Sequence, residues 1–118
     1  MRFEFHITNQ DGIREQVFSR YGDLFLHFAA SRPVRDETLR DLTVDAIPDT
    51  MQHGCVFLDD LSYEGKAEFA DAMDELWTTI EAGTYDFGPW IRQNNTQVRV
   101  ASDLLKLRRL LRKVTRVS

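Results

Sequence analysis

The stretch RFEFHITNQDGIREQVFSRYGDLFLHF, residues 2–28, decides the fold. From Arg2 to Thr8 the residues alternate: Phe3, Phe5 and Ile7 fall on one face, Arg2, Glu4 and His6 on the other. A period of two marks a half-buried strand, because successive side chains point to opposite faces. Residues 9–28 admit two readings. Asn9-Gln10-Asp11-Gly12 can form a hairpin turn leading into a second strand from Ile13. Alternatively Asp11 caps a helix whose apolar positions are Ile13, Val17, Tyr21, Leu24, Phe25 and Phe28, spaced near 3.6. We read residues 13–28 as that helix, although Gly22 costs it about 1 kcal/mol against alanine. A break at Gly22 would instead leave Leu24 to Phe28 as a strand.

Beyond this stretch, Pro33 ends whatever precedes it. A short helix is expected from about Asp36 to Ala46, with Leu39, Leu42 and Ile47 inward and Pro48 closing it. Residues 54–58 read as a buried strand, with Asp59 and Asp60 directly after it. The clearest element runs from about Tyr63 to Ala82. Phe69, Met73, Leu76, Trp77 and Ile80 repeat at helical spacing, Ser62 can cap the start and Gly83 can close the end. Residues 84–95 form a loop in which Gly88-Pro89 is a turn signal. Thr96 to Val100 alternates and reads as a strand, after which Ser102 caps a terminal helix carrying Leu104, Leu107, Leu111 and Val114. Asp103 then sits at the favourable end of that helix dipole. The fold class expected is α+β: one small, mostly antiparallel or mixed sheet of about three strands, packed with three to four helices. At 118 residues the chain fits a single domain, 1–118.

Charge is segregated. Residues 41–90 carry one basic group against twelve acidic, and residues 91–118 carry eight against one, within an overall net charge of −4. The helix at 63–82 bears Glu64, Glu68, Asp71 and Glu75 along one stripe, with Asp74 beside it. The terminal helix bears Lys106, Arg109, Lys113 and Arg116 at matching spacing. Such a match is compatible with two solvated faces, with mutual packing, or with exposed recognition surfaces. As a recognition surface the acidic stripe, with Tyr85, Phe87 and Trp90 as anchors, suits a basic protein partner. A homodimer pairing the two stripes is a variant of the same idea.

Two other chemistries have candidate residues. Arg99, Lys106, Arg108, Arg109, Arg112, Lys113 and Arg116 can contact phosphates, but a sequence pI of about 5.3 runs against nucleic-acid binding. Asp59 and Asp60 at a strand end can hold Mg²⁺ in a small metal-dependent enzyme, although adjacent strand residues diverge. His6, His27 and His53 are widely separated, and no zinc spacing, phosphate loop or G-x-S-x-G occurs. No cofactor or metal is therefore expected. The lone Cys55 excludes an intramolecular disulfide. Its apolar neighbours Val56, Phe57 and Leu58 suit a reduced, buried thiol, with His53 the nearest activating group.

The first eleven residues are broken by charged and polar groups and hold no signal-peptide core, and the longest apolar run, Leu24 to Ala30, is too short for a membrane span. A cytoplasmic protein without membrane contact is expected. In outline, an α/β chain with an acidic helix resembles barstar-type nuclease inhibitors, a likeness of architecture without a shared motif. The leading expectation is a protein–protein interaction module, an inhibitor, immunity-type protein or adaptor.

Overall fold

The computed structural model describes residues 3–45, 54–83 and 96–115. Strand β1, Phe3–Thr8, pairs antiparallel with β2, Arg14–Ser19, from Phe3 opposite Ser19 to Thr8 opposite Arg14. The hairpin therefore wins over the helix at residues 13–21. Its cause lies in the turn: Asn9 Oδ1 accepts from the backbone N–H groups of Asp11 and Ile13 at 2.9 and 3.0 Å. Gly12 completes the turn at φ 79°, a left-handed conformation that glycine adopts without strain. Ile13, placed by its spacing at the head of an apolar helical stripe, is 60% exposed.

Helix α1 starts only at Gly22 and runs Gly22–Ser31, so Leu24 to Phe28 is helical rather than extended. Gly22 is not a weak point in a longer helix. It is where α1 crosses β1: a Cβ there would lie 2.4 Å from Phe3 Cβ. Helix α2, Glu37–Arg40, is capped by Asp36, whose carboxylate accepts from Leu39 N at 3.0 Å, and continues as a π turn over Asp41–Asp45. The expected closing residues Ile47 and Pro48 lie outside the described residues.

Strand β3, Cys55–Phe57, joins the other edge of β1 in parallel, giving a mixed three-stranded sheet of order β2-β1-β3. A single 3₁₀ turn, Leu58–Asp60, leads to helix α3, Tyr63–Glu81, with Ser62 Oγ accepting from Gly65 N at 3.0 Å. Helix α4, Thr96–Thr115, contains the segment expected to be a strand. Val98 is 70% exposed while Val100 is buried with Leu104, Leu107 and Leu111, so Val100 belongs to the helical stripe. The alternation at 96–100 is too short to tell one period from the other. Ser102 accordingly lies inside α4. Asp103 is not at its first turn but accepts from Ser19 Oγ at 2.8 Å, tying α4 to β2.

The protein is thus α+β. Phe3, Phe5 and Ile7 of β1, Val56 of β3, Leu24 to Leu26 of α1, and the inner faces of α3 and α4 share one buried core.

Replacing Gly22 with alanine separates two effects. Helix propensity alone would make the change neutral or stabilising, whereas crowding against Phe3 should cost about 1–3 kcal/mol. Urea unfolding of Gly22→Ala is expected to show the loss. A midpoint at or above that of the parent protein would refute the close approach.

Candidate functional site

The acidic and basic helices meet, but not through the two matched stripes: of those residues only Asp71 takes part, and the pairing runs through Asp74, Arg108 and Arg112 beside them. Helices α3 and α4 lie side by side, and Arg108 Nε donates to Asp74 Oδ1 at 2.8 Å. Arg112 donates to the other Asp74 oxygen and reaches Asp71 at 3.3 Å. The Arg108 guanidinium also stacks over Trp77, 4.9 Å from the ring centroid. Burial would raise the Asp74 carboxyl, but the bonds from Arg112 and Arg108 outweigh it and hold Asp74 below the ordinary carboxylate range. The Asp74 bond in turn raises Arg112. Further along, Lys113 pairs with Glu15 of β2 at 2.9 Å, and Glu75 pairs with Arg32 at 2.7 Å.

This clasp divides the expected surfaces. Arg108, Arg112 and Lys113, three of the residues offered for phosphate contacts, already hold carboxylates. Lys106 and Arg109 are exposed on α4, as is Arg99 near its start. Arg116 lies outside the described residues, as do Tyr85, Phe87 and Trp90. On the acidic side, Asp74 and Glu75 are engaged and Asp71 also meets Arg112, while Glu64, Glu68 and Asp71 line a different feature.

That feature is a groove of about 540 Å³ between α3 and the chain running from the end of α1 into α2. Ala29, Leu39, Ala67 and Ala72 supply its apolar lining. Glu64, Glu68 and Asp71 stand along its α3 side, with Tyr63 near one end. Arg32 and Arg35 stand opposite. Two polar devices fix its walls. Glu68 accepts from the backbone N–H groups of Arg35 and Asp36 at 2.7 and 3.1 Å, one on each oxygen, fastening the 33–36 segment to α3. Next to the groove residues Arg35, Leu39 and Tyr63, the starts of α2 and α3 share one knot. Ser62 Oγ donates to Asp36 Oδ2 at 2.8 Å, Thr38 Oγ1 donates to Asp36 Oδ1, and Ser62 N donates to Thr38 Oγ1 at 3.0 Å. The Thr38 bond is the main reason the Asp36 carboxyl is held low. Gly65 permits the approach: a Cβ there would come within 2.7 Å of both Asp36 Oδ1 and Thr38 Oγ1.

Asp59 and Asp60 do not form a pair. Asp59 accepts from the Thr8 N–H and hydroxyl at 2.8 and 2.7 Å, securing the end of β1. Burial opposes ionisation there, and the Thr8 bonds with Lys66 and Arg14 nearby overcome it, lowering Asp59. Asp60 borders a separate shallow depression with Thr38, Asp41 and Leu42.

Protein-family models, curated proteins and solved structures were compared with this chain, and nothing matches. Its function must be argued from its own chemistry. Among the described residues no helix is long and apolar enough to cross a membrane.

One constellation is invisible in the sequence. On the face of β1 opposite the core, Glu4 and His6 stand two residues apart, and the parallel register places Cys55 beside Glu4 and Phe57 beside His6. His6 Nε2 lies 3.4 Å from Glu4 Oε2, and the Cys55 thiol donates to the same oxygen at 3.6 Å. Burial first, then Glu4, pushes that thiol up, the reverse of what an activated nucleophile needs. Period-two spacing makes Glu4 and His6 legible as neighbours. Nothing in the sequence announces that Cys55, far along the chain, joins them. His53 lies outside the described residues, and His27 is exposed on α1.

Asp74 offers a pH test of the clasp. Its folded pKa is depressed, so its contribution is complete above the ordinary value of 3.8 and is lost as pH falls through the lower folded value. Asp74→Asn should lower stability by about 1 kcal/mol at pH 7. By urea unfolding at pH 3 the gap to the parent should narrow. A gap of the same size at both pH values would show that charge is not what the substitution removes.

Proposed function

We propose that the protein is a partner-binding module that takes a basic segment of another protein into the groove beside α3. The observation carrying this reading is the pairing of an apolar, small-residue lining with a wall of three acids, Glu64, Glu68 and Asp71. The volume lies in the range of ordinary ligand sites. Alanines at 29, 67 and 72 leave room for an incoming aliphatic side chain. The acids favour lysine or arginine beside it, and their field would act chiefly on encounter rate and partner choice. Arg32, on the opposite wall, is already neutralised by Glu75. Tyr63, whose hydroxyl donates to Thr115 O at 2.9 Å, offers a fixed aromatic edge. Inhibition of a basic, nucleic-acid-handling partner and adaptor duty in a larger assembly are both versions of this reading. Binding of nucleic acid through α4 is the weaker alternative, because Arg108, Arg112 and Lys113 spend their charge within the fold.

An array of short peptides that place lysine or arginine around one aliphatic residue tests the proposal. Selective binding is expected, weakening steeply as salt is raised. Ala67→Phe should fill the groove and reduce affinity at least tenfold without lowering the melting temperature, and Glu64→Lys should slow association. Peptides binding equally well to the parent protein and to Ala67→Phe would rule the groove out, as would retention on heparin with no peptide bound.

A further inference from the structure

We propose that Glu4, His6 and Cys55 form a zinc site that clips β3 to β1. The donor set is one carboxylate oxygen, one imidazole nitrogen and one thiolate sulfur, the mixture that suits zinc rather than magnesium or calcium. All three ligand atoms lie within 4.8 Å of one another. Two of their separations already match a tetrahedral ion. Bonds of about 2.0 Å to oxygen or nitrogen and about 2.3 Å to sulfur require edges of roughly 3.3 Å for O···N and 3.6 Å for O···S. The observed edges are 3.4 Å for His6 to Glu4 and 3.6 Å for Cys55 to Glu4. The imidazole-to-thiol edge lies within 4.8 Å, a span that side-chain rotation brings to tetrahedral length.

A further observation points to a cation here. The His6 ring stacks on Phe57 with centroids 5.3 Å apart, and its Nε2 is the atom that faces Glu4. Glu4, meanwhile, has no Lys or Arg partner among the described residues; its contacts are His6 and the Cys55 thiol. An acid, an imidazole and a thiol converge, and among the described residues no Lys or Arg is bonded to them. On binding, Cys55 gives up its proton to solvent, and zinc takes the place of the weak S–H···O contact. With three protein donors, the fourth position is left for water or for a ligand from outside. The site also has a structural role: β3 is only three residues long, and the ion would tie it to β1 through side chains as well as backbone.

The site is separate from the groove, so either proposal can fail alone. The test uses the full chain freed of metal with a chelator, then titrated with Co²⁺ and Zn²⁺. One ion per chain is expected, with a thiolate-to-cobalt charge-transfer band that Zn²⁺ abolishes and a rise in melting temperature on Zn²⁺ binding. Cys55→Ser should remove the band, and Glu4→Gln and His6→Gln should each weaken binding at least tenfold. Glu4 lies on the outer sheet face away from the core, so Glu4→Gln keeps the test open if Cys55→Ser does not fold. No band in the native chain would overturn the proposal. A band equally strong in Glu4→Gln and His6→Gln would do the same, since the thiol would then be binding cobalt elsewhere.

Discussion

The seam between α3 and α4 is the constraint on which the rest of the molecule depends. Phe69, Met73, Leu76 and Ile80 from one helix, and Leu104, Leu107, Leu110 and Leu111 from the other, are buried in the shared core. Fully burying such side chains contributes about 1.5–3 kcal/mol each. The ion pairs above the seam are partly exposed, and pairs of that kind contribute about 0–1 kcal/mol. Burial therefore sets the contact, while Asp74 with Arg108 and Arg112 sets which turn faces which. Once that register is fixed, part of the charge asymmetry of the chain is taken up between the two helices, at Asp71, Asp74, Arg108 and Arg112. The acidic middle and the basic terminal helix neutralise each other where they touch.

What remains for other molecules is whatever the clasp does not reach. Along α3, Asp74 points toward α4, whereas Glu64 and Glu68 come round to the side facing α2. Glu68 has a double task there. Its two oxygens satisfy the backbone N–H groups of Arg35 and Asp36, which precede α2 and would otherwise have to find water. In doing so it holds the far wall of the groove at a fixed distance. The same carboxylate thus builds the groove and contributes to its potential.

Much of the architecture is legible in the sequence because several residues agree. At α3 a cap, an apolar period and a terminal glycine all point one way, and the observed helix runs from Tyr63 to Glu81. The alternation of Phe3, Phe5 and Ile7 marks β1 equally clearly. Residues 13–21 mislead because Ile13, Val17 and Tyr21 happen to fall at helical spacing, while the decisive force is a local turn at Asn9 and Gly12. The first turn of α4 misleads for a related reason: with Val98 solvent-facing, the true stripe begins at Val100. The charge stripes are legible as a matched pair, but spacing alone does not say whether such a pair meets. Cys55 reads from sequence as a buried thiol but is only half-buried, because Cys55 and Phe57 lie on the sheet face away from the core and only Val56 points inward. Its neighbours are not legible, because parallel pairing across a long connection leaves no local trace in sequence.

The two candidate sites differ in what holds them rigid. β1 is the central strand, paired with β2 on one edge and β3 on the other. Its odd-numbered side chains are locked in the core, so its even-numbered ones, Glu4 and His6, leave the sheet from a backbone fixed on both sides. Asp59 adds a further anchor at Thr8, where the strand ends. Donors mounted on such a backbone lose little freedom when they converge on an ion. The groove instead has one wall on a long helix and another on a short segment tied by Glu68 and by the Asp36–Thr38–Ser62 knot. Those polar contacts set the width of the groove. One strand therefore offers donors at the spacing of a small ion, and one helix flank offers a groove of set width, broad enough for a peptide side chain.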